Sequence, residues 1–297
     1  MLVWLNGRVI DGAHASISVF DRGFLFGDAV YEVVRLFDGA PIGMDLHVAR
    51  LRRSLRLSFI EGFDADEFPS ICRTLLEASG LRDGSVYLQV SRGAAATRTH
   101  LPPAGMCPTV FACASACGPL SDLERVPAVA CMTAPDERWH RCEIKTTALL
   151  GNLLPMLAHR DKGIDEVILL RNGMLSEACA SNVFVDVGGT LVTPPVDADP
   201  PILHGVMRIR LLEACVEAQI PCDVRAVSER QLRESQGIII TGSRRIFSAV
   251  TTLDGSPISD GTVGPLTQRA NAALLARLRR ECEAAAANAW ATPILAS

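Results

Sequence analysis

Apolar and polar residues follow two periods along the chain. Short runs rich in Val, Ile, Leu and Phe predict strands at residues 3–10, with a turn at Asn6-Gly7, and at 29–37, 85–91, 109–114, 126–132, 166–170, 182–187, 222–227 and 237–241. Longer stretches with apolar residues at helical spacing predict helices at 46–57, 68–79, 149–162, 206–218 and 267–287. Mixed α and β structure follows, and no internal repeat is visible. The segment Ala116-Cys117-Gly118-Pro119-Leu120-Ser121-Asp122 interrupts both periods. It predicts a smaller α+β domain over 1–118, a linker at 119–123 and a larger α+β domain over 124–297. Two domains make a cleft at their boundary, where a small molecule is commonly bound. The alanine-rich end predicts a frayed or disordered tail from about residue 285.

Composition narrows the function classes. With 48% apolar and 21% charged residues the chain can build one large core or two medium ones. The net charge is −4, from 33 acids against 29 bases, without a block of like charge. That excludes nucleic acid or an anionic membrane as the main partner. No uncharged apolar run is long enough for a membrane span, and the start, Met1 to Gly7, lacks the pattern of a signal peptide. Ten cysteines diluted over 297 residues read as free thiols of a cytoplasmic protein. Cys131, His140 and Cys142 form only a loose group without a fourth ligand, so no metal site is expected.

The bases are unevenly divided. Lys145 and Lys162 are the only lysines, and the other 27 bases are arginines. Lys162 precedes Gly163 at a helix end, where a cation complements the dipole. Lys145 lies in Arg141-Cys142-Glu143-Ile144-Lys145-Thr146-Thr147, before the helical segment near 149. Arginine cannot form a Schiff base and lysine can, so an amine kept here points to carbonyl chemistry. Pyridoxal 5′-phosphate in such a role needs an acid for its ring nitrogen, a phosphate cradle and a group for the substrate carboxylate. Glu177, after the turn at Asn172-Gly173, is the candidate acid.

Five ordered motifs then coincide. They are Asp21-Arg22-Gly23-Phe24-Leu25-Phe26-Gly27-Asp28-Ala29-Val30-Tyr31-Glu32; His47 with Arg50; Lys145; Glu177; and Ser181-Asn182-Val183-Phe184. Over residues 6–275 the chain resembles the fold-type IV pyridoxal-phosphate enzymes, which include branched-chain aminotransferases, D-amino acid aminotransferases and aminodeoxychorismate lyases. The resemblance implies a two-domain α+β homodimer with the cofactor at the domain boundary. It implies that Lys145 carries the Schiff base and shuttles the proton, and that Glu177 keeps the ring nitrogen protonated. Arg50 would bind the phosphate and Leu203 would pack on the ring face. Val206 and Met207 open a helix whose free N–H groups suit the phosphate, and Gly242 and Ser243 follow the strand at 237–241 as a third phosphate element.

Within the family, D-amino acid aminotransferases hold the substrate α-carboxylate with a tyrosine and an Arg-x-His pair reaching over from the partner subunit. Tyr31, Arg98 and His100 match those positions, and the run from Glu137 to Lys145 resembles the same enzymes. The implied reaction is D-alanine plus 2-oxoglutarate to pyruvate plus D-glutamate. A branched-chain L-aminotransferase or an (R)-amine transaminase is the alternative on the same scaffold. A cofactor-free binding or scaffold protein, with Lys145 and Glu177 as a buried ion pair, is the alternative from another class. Two departures stand out. Met207 occupies a position where a hydroxyl residue is common, leaving backbone N–H groups for the phosphate. Arg244 and Arg245 replace part of a Thr/Ser/Ala-rich turn; either they point to solvent or dimer-surface acids, or one pairs with the distal carboxylate of a substrate.

Overall fold

The computed structural model describes residues 1–199 and 201–287. Two sheets organise it. The first contains β1 (Leu2–Leu5), β2 (Arg8–Asp11), β3 (Ala29–Phe37), β4 (Ala40–Pro41), β5 (Gly84–Ser91) and β6 (Thr109–Ala116) in the order β2-β1-β6-β5-β3-β4, antiparallel throughout. Three helices accompany it: α1 (Arg22–Phe26), α2 (Met44–Leu57) and α3 (Phe68–Ser79). The second sheet contains β7 (Ala128–Pro135), β8 (Glu166–Arg171), β9 (Met174–Ala178), β10 (Asn182–Val187), β11 (Thr190–Thr193), β12 (Cys222–Val224), β13 (Ile238–Thr241), β14 (Ser248–Leu253) and β15 (Ser256–Pro257). Its order is β12-β11-β10-β13-β14-β7-β8-β9, with β15 on β14. The helices of this half are α4 (Leu150–Ala158), α5 (Val206–Glu217), α6 (Glu229–Arg233) and α7 (Pro265–Ala287). A short 3-10 helix, Leu120–Glu124, lies between the last strand of one sheet and the first of the other.

Strand periodicity decides what faces the functional cavity. On β3, Val30, Val34 and Leu36 enter the core beneath α2 and α3, while Tyr31 and Val33 line the cavity on the opposite face. On α2, His47, Arg50 and Ser54 fall on one buried stripe at i, i+3 and i+7. The core of α5 and α7 also takes in Phe37 and Ile42 from the first sheet's end, and Ile144 enters the core under α2 and α3. Each half of the chain therefore completes the packing of the other.

Differences from the expected elements have local causes. The turn expected at Asn6-Gly7 is present and makes the run at 3–10 a hairpin, both residues taking positive φ. Strand β9 escapes an apolar-run reading because Ser176 and Glu177 interrupt it, yet both are buried. β11 and the Ser/Thr-bearing β14 were likewise not expected. The helix expected over 149–162 ends at Ala158 and continues as a 3-10 turn over Arg160–Lys162. α7 runs to Ala287; of the tail expected from about 285, residues 288–297 lie outside the described residues. No described helix is long and apolar enough to cross a membrane.

Candidate active site

A cavity of about 880 Å³ opens between the two sheets, and Lys145 and Glu177 both line it. Lys145 is fixed through its backbone. Its carbonyl accepts from the Tyr31 N–H at 2.9 Å, and its own N–H donates to Ser54 Oγ at 3.2 Å. The Nζ stands 4.2 Å from the centroid of the Tyr31 ring, a cation–π arrangement that points the amine across the cavity face of β3. Tyr31 in turn packs on Tyr87, the chain's other tyrosine, with centroids 5.5 Å apart.

Glu177 is 5% exposed and fully engaged. Arg138 Nη1 donates to its Oε1 at 2.7 Å and Asn182 Nδ2 to its Oε2 at 3.0 Å; the Leu203 N–H adds longer contacts at 3.3 and 3.4 Å. Burial pushes the Glu177 carboxyl above the usual carboxylate range, and the Arg138 guanidinium opposes that shift. Arg138 is itself clamped by Asp136 at 2.9 and 3.0 Å. A buried carboxylate so raised and so oriented is suited to share a proton with a basic nitrogen placed in the cavity. Sequence reading found Glu177 but not its partners: Arg138 and Asn182 lay within the recognised stretches without a role, and Asp136 went unnamed. The available signal was physical: a carboxylate expected to be buried calls for a cation, and Asp136-x-Arg138 stands just upstream of Lys145.

Arg50 lines the cavity from α2. Its Nε and Nη2 donate to the two oxygens of Glu32, each at 2.7 Å, and its Nη1 to the His204 carbonyl at 2.8 Å. His47 Nδ1 lies 2.7 Å from the same carboxylate. Burial pushes the His47 imidazole down, so the neutral ring donates from Nδ1 and leaves Nε2 buried without a partner. Glu32 and His47 were within the recognised motifs, but this triad is visible only once β3 and α2 are packed.

The same wall presents an anion cradle. Helix α5 begins at Gly205 with no side-chain cap, and Val206 lines the cavity, so the first N–H groups of a twelve-residue helix open there. The close approach needs glycine: a Cβ on Gly205 would lie 1.8 Å from Asn182 Oδ1. Thr241, Gly242 and Ser243 line the cavity after β13, and the buried Thr241 Oγ1 has no hydrogen-bond partner. Met207 is placed differently from its neighbour Val206. Its side chain is 1% exposed within the core of α5 and α7, so only its backbone is available. Arg244 and Arg245 also line the cavity.

Arg98 and His100 do not line this cavity. They sit on an exposed loop beside Phe26, with the Arg98 guanidinium 4.9 Å from that ring's centroid and the His100 ring 5.8 Å from it. Arg22 holds the loop by donating to the Thr99 and His100 carbonyls at 2.7 and 2.9 Å. Asp28 receives both Arg22 and Arg92 at 2.8 Å, and these guanidinium groups outweigh burial to hold its carboxyl below the usual range. The Asp-Arg-Gly motif near the start is thus a clamp on this loop.

The donor set fits pyridoxal phosphate in its chemical requirements: an amine, a buried acid for a ring nitrogen, and an uncapped helix start with an orphaned hydroxyl for a phosphate. Comparison with known proteins agrees. Residues 29–253 match the family described as amino-transferase class IV. D-alanine aminotransferase of Bacillus licheniformis is 35% identical over 277 residues, covering 92% of this chain and 96% of that protein. D-alanine aminotransferase of Staphylococcus haemolyticus is 30% identical, covering 90% and 94%. Among solved structures, a hypothetical aminotransferase from Mycobacterium tuberculosis in its PLP-bound form superposes with a TM-score of 0.77 at 24% identity, covering 93% of this chain and 99% of that one. A branched-chain amino acid aminotransferase from Escherichia coli gives 0.80 at 23% identity, covering 91% of each. With its lysine, acid and anion cradle gathered in one cavity, the chain belongs to the class IV aminotransferases.

Proposed function

We propose that the protein is a pyridoxal-phosphate-dependent aminotransferase that moves the amino group of D-alanine to 2-oxoglutarate, giving pyruvate and D-glutamate. The observation that carries this reading is the meeting of Lys145 and Glu177 in one cavity beside the open start of α5. The choice of D-alanine rests on the relatives named for that substrate, with the matching Tyr31, Arg98 and His100.

When bound, pyridoxal phosphate supplies an aldehyde that condenses with amines and a ring that takes up the electron pair of a broken Cα–H bond. Arg50, the N–H groups of Val206 and Met207, and Gly242 with Ser243 hold the phosphate. Leu203 packs on the ring, and Glu177 keeps the ring nitrogen protonated. Lys145 Nζ would hold the cofactor aldehyde between turnovers and, when free, would take up and give back the proton of the substrate Cα. Tyr31 keeps that amine on the cavity face of β3. Arg50 stays a fixed cation because Glu32 and His47 hold it from behind.

The working unit is a homodimer. Helix α4 has no buried side chain and exposes Leu150, Leu153, Leu154 and Leu157; Gly27, which ends α1, abuts Ala148 two residues before α4, and Phe24 on α1 is 67% exposed. A second copy covers this apolar face. In that assembly Arg98 and His100 serve the neighbouring protomer's cavity, binding the α-carboxylate together with that cavity's Tyr31. The location is cytoplasmic, in keeping with ten free cysteines.

The test compares the two lysines. Purified wild-type protein shows a near-visible absorbance band that borohydride erases; Lys162→Ala keeps the band and activity. Lys145→Ala loses both, with kcat down by at least about 10²–10⁴-fold, the scale of a lost acid–base group. A band that survives in Lys145→Ala contradicts the assignment.

A further inference from the structure

Two guanidinium groups in the cavity are left over once the interactions above are assigned. Arg244 and Arg245 lie on the turn that follows β13 and share the cavity with Lys145. The other cavity arginines already hold a carboxylate in an ion pair: Arg50 with Glu32 at 2.7 Å and Arg138 with Glu177 at 2.7 Å. Among the described residues, Arg244 makes no hydrogen bond, ion pair or ring contact. Arg245 makes one hydrogen bond, from Nη2 to the Asp165 carbonyl at 3.2 Å, which anchors the side chain without an ion pair, and its charge is felt by the nearby Glu166 carboxyl. Glu166, also on this wall, is hydrogen-bonded by Ser181 at 3.1 Å and does not form an ion pair with either arginine.

We propose that Arg244 and Arg245 form a second anion subsite in the substrate pocket, which binds the distal carboxylate of dicarboxylic substrates such as 2-oxoglutarate, D-glutamate and D-aspartate. The inference rests on the aminotransferase reading and deepens it by naming the specificity-determining residues. The charge balance carries it. The cofactor phosphate has Arg50 and the start of α5, and the α-carboxylate has Tyr31 and the arm that holds Arg98. A substrate with one carboxylate leaves both turn guanidinium groups lining the cavity without an ion-paired anion. A dicarboxylate supplies one, and a guanidinium fork fits its two oxygens. Arg245, held by the Asp165 carbonyl, gives the subsite a fixed wall, and the more exposed Arg244 closes on the ligand.

The adjacent Gly242 and Ser243 make the cofactor phosphate the rival anion, and the experiment separates the two. Holoenzyme of the wild type, Arg244→Gln, Arg245→Gln and the double variant is mixed with D-glutamate or D-alanine in single turnover. Conversion of the cofactor from its aldehyde to its amine form is followed by absorbance, and cofactor dissociation constants are measured in parallel. The ratio of efficiency for D-glutamate over D-alanine falls by roughly tenfold or more in the double variant, the scale of losing a charge-assisted pair. The loss lies in half-saturation rather than in maximal rate. Glutarate, a dicarboxylate without an amine, competes correspondingly less well, and cofactor affinity stays level. An unchanged ratio overturns the proposal, whether both donors slow equally or neither responds. Weakened cofactor binding at an unchanged ratio assigns the arginines to the phosphate instead. Wild-type holoenzyme inert to both donors overturns the aminotransferase reading itself, a separate outcome visible before any variant is made.

Discussion

Glu32 shows how much of the site's chemistry lies one layer behind the cavity. Burial pushes its carboxyl up, but the Arg50 guanidinium outweighs burial and holds it at about 2. A carboxyl lowered on folding from 4.5 to about 2 contributes stability that is fully present above the unfolded value and is lost as pH falls through that window. Thermal unfolding followed from neutral to strongly acidic pH therefore shows an acid-side loss that Glu32→Gln flattens; an identical profile in the variant contradicts the pairing. Glu32→Ala, which strands Arg50 as a buried charge, destabilises by about 3–5 kcal/mol in denaturant titrations. At this scale the sequence was most legible where chemistry restricts residue type. Lysine scarcity singled out Lys145, and family motifs gave Glu177 and Arg50. The pairing of Arg138 with Glu177 was not legible, because it joins segments 39 residues apart that no local period links.

At the scale of elements, the long periodic segments were readable and the short polar ones were not. The helix of α2 and the strand β3 match their apolar patterns closely, since each buries one full face. Strand β9 failed that reading because its buried residues include the polar Ser176 and the cavity-lining Glu177, which break the apolar pattern. The contact of α5 with β10 makes a direct prediction. Gly205→Ala drives a methyl into the Asn182 side chain, which also bonds Glu177, and displaces the start of α5. Pyridoxal-phosphate affinity measured by equilibrium dialysis falls by roughly tenfold or more, while the far-ultraviolet circular dichroism keeps its native shape. Affinity equal to wild type contradicts the role given to that helix start.

Across the whole molecule, the crossed packing of Phe37, Ile42 and Ile144 bears on the division near residue 118. We propose that the two parts are structural domains that fold together rather than apart, since each lends side chains to the other's core. In the homodimer we propose, the exposed leucines of α4 carry the association of copies. Paired Leu154→Glu and Leu157→Glu changes shift the protein from dimer to monomer in analytical ultracentrifugation and weaken D-alanine binding, because Arg98 and His100 no longer reach a neighbouring cavity. A variant that stays dimeric removes this face from the interface. The break in pattern near residue 118, where the chain passes from one sheet to the other, and the exposed loop of Arg98 and His100 were legible in the chain; the apolar face of α4 was not, because its leucines fit a buried helix equally well. Substrate choice gathers all three scales, and one panel tests it most directly: wild-type holoenzyme with D- and L-alanine, D- and L-glutamate, and D- and L-leucine as donors, with 2-oxoglutarate as acceptor for alanine and leucine and pyruvate for glutamate. The account predicts turnover of D-alanine to pyruvate with D-glutamate formed, and the reverse from D-glutamate. Activity confined to L-leucine would contradict it.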